Sequence, residues 1–228
     1  MIKIFLSWLS VLPLWATAGP AFEGYDAYNN SHQNQLFKSE GVDLQADSEG
    51  DELAVRYAAS ISTQGRRHVI QLKKAQFTAD GHRWQLSRAR PFPGETTGAD
   101  DLGRGSTAYF SAPSGALPGW VCLESTPASA AGTAIRHKAV YLLSTARAKH
   151  TAWKLPSLFA SCRGLRHRHQ QILFDQIVYR YPTGQDEPTG LRFKEYALVK
   201  GGFMPTGHLK EATFVEPGNV YRFTIDER

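Results

Sequence analysis

The sequence predicts a mostly β protein: an antiparallel β-sandwich or barrel-like domain with few short helices and one disulfide. Three observations carry this expectation. Ten or more short runs are apolar, β-branched or alternate apolar with polar residues, whereas hardly any window repeats its apolar residues at helical spacing. Gly, Pro and Asn punctuate these runs at turn-like intervals. The only two cysteines, Cys122 and Cys162, bracket a strand-rich segment from W-V-C-L-E-S to L-P-S-L-F-A-S-C.

The N-terminus sets the compartment in which those thiols are read. Lys3 supplies a short positive region, Ile4 to Leu14 an apolar one, and Ala16-Thr17-Ala18 a small-residue cleavage site, so residues 1–18 are expected to be a signal peptide. The apolar run is shorter than the roughly 20 residues a membrane helix needs, and no later stretch lacks charges for long enough. No membrane span is therefore expected after signal removal, and the expected location is periplasmic or secreted. In such an environment Cys122 and Cys162 are expected to pair, stapling a domain large enough to own a core. Closing that loop is worth roughly 4 kcal/mol on the chain-entropy model.

The formal charge is +5, which falls to +4 when the signal peptide takes Lys3 with it. An excess this small, spread along the chain, argues against nucleic acid as a partner. Residues 19–228 hold no second hydrophobic pattern, so a single β-rich domain is expected, with a long Gly/Pro-rich loop at about 91–119.

Taken in order, Ala21 to Gly41 is polar, with Phe22, Tyr25, Tyr28, Leu36 and Phe37 spaced for a short helix or two. It includes a glycosylation sequon at Asn29, relevant only in a eukaryotic secretory pathway. Asp43 to Glu52 is acidic but lacks the register of a calcium loop, Ser48 and Leu53 falling at the wrong positions. From Leu53 to about Arg88 the alternation and the Asp80-Gly81 pair predict a meander of three or four antiparallel strands. Pro91 to Gly119 then reads as a lid, binding loop or seam, with little pattern beyond Thr107 to Phe110.

The stapled segment offers strands at Val121 to Leu123 and Ala139 to Leu143, a further strand at Trp153, and a helical turn from Pro156 to Phe159. Ile172 to Tyr181 is the strongest β-former and is expected centrally in a sheet. Pro-Thr-Gly recurs at Pro182, Pro188 and Pro205 with unequal spacing, which is turn chemistry and not a repeat. Strands follow at Leu191 to Lys200, Ala212 to Val215 and Val220 to Ile225.

Chemistry is harder to find. Arg163 to His169 is the densest cluster: on a strand His167 and His169 would share a face, the spacing of two metal ligands, but Arg163, Arg166 and Arg168 interleave with them and repel a cation. A third ligand could come only from His68, His82, His137 or His208 through the fold. The arginines suit an anionic or acidic partner instead. Gly98 to Ser106 is no phosphate loop, having Arg104 where a lysine is needed. There is no G-x-S-x-G elbow and no H-E-x-x-H. Glu124, Asp175 and Glu195 lie within strand-like runs, where outward-facing positions are expected. Gly201 to His208 reads as a protruding turn that carries Phe203 and Met204 at its tip or folds them back onto the core.

These readings lead to a secreted or periplasmic binding protein, in its most concrete form an inhibitor or immunity-type protein that blocks an envelope-acting enzyme. Phe203, Met204, Arg163, Arg166 and Arg168 are the expected partner contacts; no cofactor is expected. Two alternatives stand beside it: a cell-wall or glycan hydrolase with a dispersed histidine/carboxylate site, and an anionic-polymer or metal-binding module around His167 and His169.

Overall fold

The computed structural model describes residues 19–47, 56–63, 66–95, 102, 105–111, 119–126, 131–146 and 151–226. The expected signal peptide and parts of the acidic stretch and of the Gly/Pro-rich loop lie outside the described residues.

The chain runs through β1 (Phe22–Glu23), α1 (Tyr25–Asn30), β2 (Val42–Asp43) and β3 (Gln45–Asp47), then a four-stranded meander of β4 (Arg56–Thr63), β5 (Arg66–Lys73), β6 (Gln76–Ala79) and β7 (His82–Gln85). β8 (Arg90–Pro91), β9 (Ser106–Phe110), β10 (Trp120–Ser125), β11 (Ala139–Ser144) and β12 (Ala152–Lys154) follow. The last third holds β13 (Arg166–Arg168), β14 (Gln171–Arg180), β15 (Gly190–Val199), β16 (Gly202–Phe214) and β17 (Arg222–Asp226). Among the described residues α1 is the only α-helix, joined by three short 3-10 turns at Leu86–Arg88, Gly132–Arg136 and Cys162–Gly164.

Three sheets result: β3-β4-β5-β6-β7, β2-β9-β10-β11-β12-β8 and β1-β17-β16-β15-β14-β13. Their pairings are antiparallel except β12 with β8. The Asp80-Gly81 pair turns β6 into β7 with positive φ at both residues (51° and 80°), the conformation a two-residue hairpin requires.

The sheet of β10 and β11 is the middle layer. Every residue of Trp120–Ser125 and of Ala139–Ser144 is buried. Val121, Leu123, Tyr141 and Leu143 face the meander's Ile70, Leu72, Phe77 and Trp84. Their neighbours Trp120, Cys122, Val140 and Leu142 face the third sheet through Ile172, Phe174 and Phe203. This double burial explains why Trp120–Leu123 and Ala139–Leu143 read as unbroken apolar runs. A third core lies on the other side of the last sheet, where Tyr25 and Tyr28 of α1 meet Leu191, Phe193, Ala212 and Phe223.

Cys122 and Cys162 are bonded, Sγ to Sγ, at 2.02 Å. The bond ties β10 to the turn that enters β13. A second tie reaches the β15–β16 turn: the Gly201 carbonyl accepts from Trp153 Nε1 at 2.9 Å and from Arg90 Nη1 at 2.6 Å.

Several expectations need correction. The helical content of residues 21–41 is confined to six residues of α1. Pro156 opens no helix; Leu158 instead bridges to His137, and the turn forms later at Cys162–Gly164, where the Ser161 hydroxyl accepts from Arg163 N–H. The Gly/Pro-rich loop contains β9, a full strand of the middle sheet paired along β10, because Ala108 and Tyr109 have apolar partners on both sides. The run from Ile172 forms β14, which ends at Arg180 and is an interior strand between β15 and the short edge strand β13. Gly201 to His208 is not a protruding turn. Gly201 makes the bend (φ 87°), and the chain then runs on as the 13-residue strand β16. The third Pro-Thr-Gly triplet falls inside that strand, at a bulge where Gly207 has φ 86° and the register shifts between Lys194 and Tyr196 of β15.

Candidate functional site

The basic segment is divided by its own strand. Arg166 pairs with Leu173 in β13–β14, so its side chain lies on the face carrying Asp175, and Asp175 sits directly opposite Glu195 across β14–β15. Arg166 Nη2 contacts Asp175 Oδ1 at 2.5 Å and Glu195 Oε2 at 3.4 Å. The Tyr28 hydroxyl donates to Asp175 Oδ2 at 2.8 Å. Glu195 Oε1 accepts from Arg168 at 2.9 Å and from the Thr206 hydroxyl at 3.0 Å. Every carboxylate oxygen of the pair thus has a partner, and all three central residues are buried.

The expectation that Asp175 and Glu195 face outward is therefore overturned. They are tolerated inside because guanidinium and hydroxyl groups neutralise and hydrogen-bond them. The network perturbs its neighbours. Burial first, and Asp175 second, push the Tyr28 hydroxyl far above its usual range. His32, edge-on to Tyr28 at 4.7 Å, is lowered to about 4, by burial first and by Arg166 next. Tyr28, His32 and Lys210 line a hollow of about 630 Å3 beside Gly19 and Asp226.

His167 and His169 do not share a face. His167 lies in β13, whereas His169 is in the following turn with φ 46°. Among the described residues no three His, Cys, Asp or Glu side chains converge as a metal ion requires. Of the expected partner contacts, Phe203 is 3% exposed and packs on Phe92 with ring centroids 5.1 Å apart, so it serves the core. Arg166 is likewise withdrawn from the surface, its charge needed by Asp175. Met204 is 56% exposed, Arg168 reaches solvent while holding Glu195, and Arg163 is partly exposed.

Arg163 opens onto a second polar assembly, built around Glu124. Trp120, Cys122 and Glu124 alternate onto one face of β10, so Glu124 continues the row that ends in the disulfide. It is buried, not outward-facing, because the chain around Cys162 covers it. Its Oε2 accepts from Cys162 N–H at 2.8 Å and from the Ser161 hydroxyl at 3.1 Å. Its Oε1 accepts from the Tyr109 hydroxyl at 3.3 Å and lies 3.5 Å from Lys138 Nζ. Burial, and then Glu124, push the Tyr109 hydroxyl up to about 12. Arg163 bonds Glu40 at 2.9 Å and Asn30 at 3.3 Å.

These groups line a polar hollow of about 460 Å3. It adjoins a smaller, more apolar one of about 220 Å3 at Tyr25, Ile135, Phe159 and Tyr221; Asp26, Lys138 and Ser161 line both. Sequence reasoning passed over Tyr109, Lys138 and Ser161. The available signal was parity: Glu124 stands two residues beyond Cys122, and Lys138 two before Val140 on the neighbouring strand.

The chain matches no family model, and no curated protein or solved structure shows significant similarity to it.

Proposed function

We propose that this is an extracytoplasmic binding protein, secreted or periplasmic, that contacts another protein through the outer margin of its last sheet. Strand β16 carries the reading. From Gly202 to Lys210 its outer side has no strand neighbour among the described residues, since β17 pairs only from Glu211 onward. Along this margin Met204 is 56% and Leu209 45% exposed. Pro205 and the Gly207 bulge interrupt the edge, which discourages indiscriminate strand pairing while leaving the side chains available. An inhibitor or immunity-type role toward an envelope-acting enzyme is the concrete form of this reading.

The Cys122–Cys162 bond fits an oxidising compartment. A hydrolase reading has weaker support, because Glu124, Asp175 and Glu195 are each engaged by hydrogen-bond donors and cations of the fold instead of being presented to a substrate. The test is a pull-down from periplasmic or secreted extract with the mature, oxidised protein and a Met204→Asp, Leu209→Asp variant. One stoichiometric partner, lost in the variant, is the expected result. If the wild-type protein captures nothing, the reading fails.

A further inference from the structure

We infer that the groove running from Tyr221 to Arg163 is a saccharide-binding site, and that it takes a glycan without net negative charge. It shares no residue with the β16 margin, so this inference and the protein-contact reading stand or fall separately.

The groove has two unlike halves joined at Asp26, Lys138 and Ser161. In the apolar half the rings of Tyr25 and Phe159 stack at 3.8 Å, and Tyr221 stands edge-on to each at 6.0 Å. Tyr221 is 41% exposed, so an aromatic surface remains for a ligand. In the polar half, carboxylate, ammonium, guanidinium, amide and hydroxyl groups occur together: Glu124 is fixed by the Cys162 N–H and the Ser161 hydroxyl, and Arg163 bonds Glu40 and Asn30 at the surface.

A saccharide matches both halves. Its C–H face is apolar and packs on aromatic rings, while each hydroxyl both donates and accepts and so uses mixed sets of fixed polar groups. An extended peptide would instead seek an open strand edge, and this groove is walled by α1 and the turns at Gly132–Arg136 and Cys162–Gly164. The charge of the lining selects further. Glu23, Asp26, Glu40 and Glu124 outnumber Arg136, Lys138 and Arg163. Arg163 and Lys138 are engaged by Glu40 and Glu124, and Glu23 by Arg222, which leaves one acid, Asp26, and one base, Arg136, without an ion-pair partner among the described residues. With the lining charges balanced, the groove offers a polyanion no cationic surplus, and a sugar that is neutral, or that bears an amino group for Asp26, is preferred.

The experiment is calorimetric titration of the mature, oxidised protein with an N-acetylglucosamine hexamer, a glucosamine hexamer and a sulfated heparin hexamer. Saturable binding of one or both of the first two, and not of the heparin fragment, is expected. Tyr221→Ala should weaken it by about threefold to tenfold, the worth of one aromatic contact. Asp26→Asn should weaken the glucosamine hexamer more than the acetylated one. Both positions are exposed, and matched thermal unfolding would confirm intact folds; Ile135→Ala provides a third, independent probe of the same hollow. No saturable binding of either neutral or amino hexamer at millimolar concentration overturns the inference. So does binding that the three variants leave unchanged, or tighter binding of the heparin fragment.

Discussion

Replacing Arg166 by Met probes the buried ion network most directly. Arg166 is 8% exposed, and among the described residues its guanidinium is the one cation in contact with both Asp175 and Glu195. Its removal leaves Asp175 with a single donor, the Tyr28 hydroxyl, while Glu195 keeps Arg168 and Thr206. Two carboxylates then face each other across paired strands with one cation between them in place of two. Breaking a buried pair from one side costs about 3–5 kcal/mol. The lower end applies here, because Arg168 is half-exposed and still holds Glu195. Against a total stability of about 5–15 kcal/mol this is a large loss.

Urea unfolding followed by the fluorescence of Trp84, Trp120 and Trp153 measures it. A second variant separates charge from packing: adding Asp175→Asn to Arg166→Met keeps an acceptor for Tyr28 but removes the unpaired charge, and should restore about half of the loss. A single variant within about 1 kcal/mol of wild type, the range of exposed pairs, would refute the argument. A double variant no more stable than the single one would show that packing, not charge, sets the cost.

Three further outcomes are expected. Cys122→Ala with Cys162→Ala should lower stability by about 2–4 kcal/mol, since the bond closes a span of 40 residues and positions the Cys162 N–H on Glu124; a loss below about 1 kcal/mol in urea would contradict this. Gly190→Ala should cost about 1–3 kcal/mol, because a Cβ there would overlap the Ala212 carbonyl oxygen on the adjacent strand, and an unchanged unfolding midpoint would show that β16 yields. His32, lowered from 6.5 to about 4, stays neutral in the folded protein while the unfolded chain takes up a proton. Stability is thus retained above the unfolded value and lost as pH falls from 6.5 toward 4, by about 1–2 kcal/mol once the exposed part of the ring is discounted. Unfolding midpoints across that window should fall more steeply for wild type than for His32→Gln, and parallel profiles would remove His32 from the account.

How much of this was legible beforehand differs by element. The meander followed from alternation and from Asp80-Gly81, whose hairpin geometry is local. The strands of the stapled segment followed from their composition, and the disulfide from two cysteines behind an expected signal peptide. The Pro-Thr-Gly triplet at Pro205 reads as a turn because the same residues that make a turn also make a bulge, and only a paired strand alongside distinguishes them.

The polar assemblies were not legible as sites. Period-two alternation correctly assigns Glu124 to the face of Cys122, and Asp175 to a face of its own strand, but it does not say what covers that face. Asp175 is buried because α1, far away in the chain, brings Tyr28 over it, and Arg166 meets Glu195 only through the register of β13, β14 and β15. Phe203 and Met204 are neighbours in sequence with opposite fates, one in the core and one in solvent, because a strand sends them to opposite faces and only one face has a sheet against it. By itself, then, the sequence determined the β class, the hairpin and the staple, all of which rest on local backbone preference or on the chemistry of two residues. The three-layer stacking, the burial of the three acids and the groove beside the disulfide were decided by tertiary structure, since each depends on which distant strands pair and in what register.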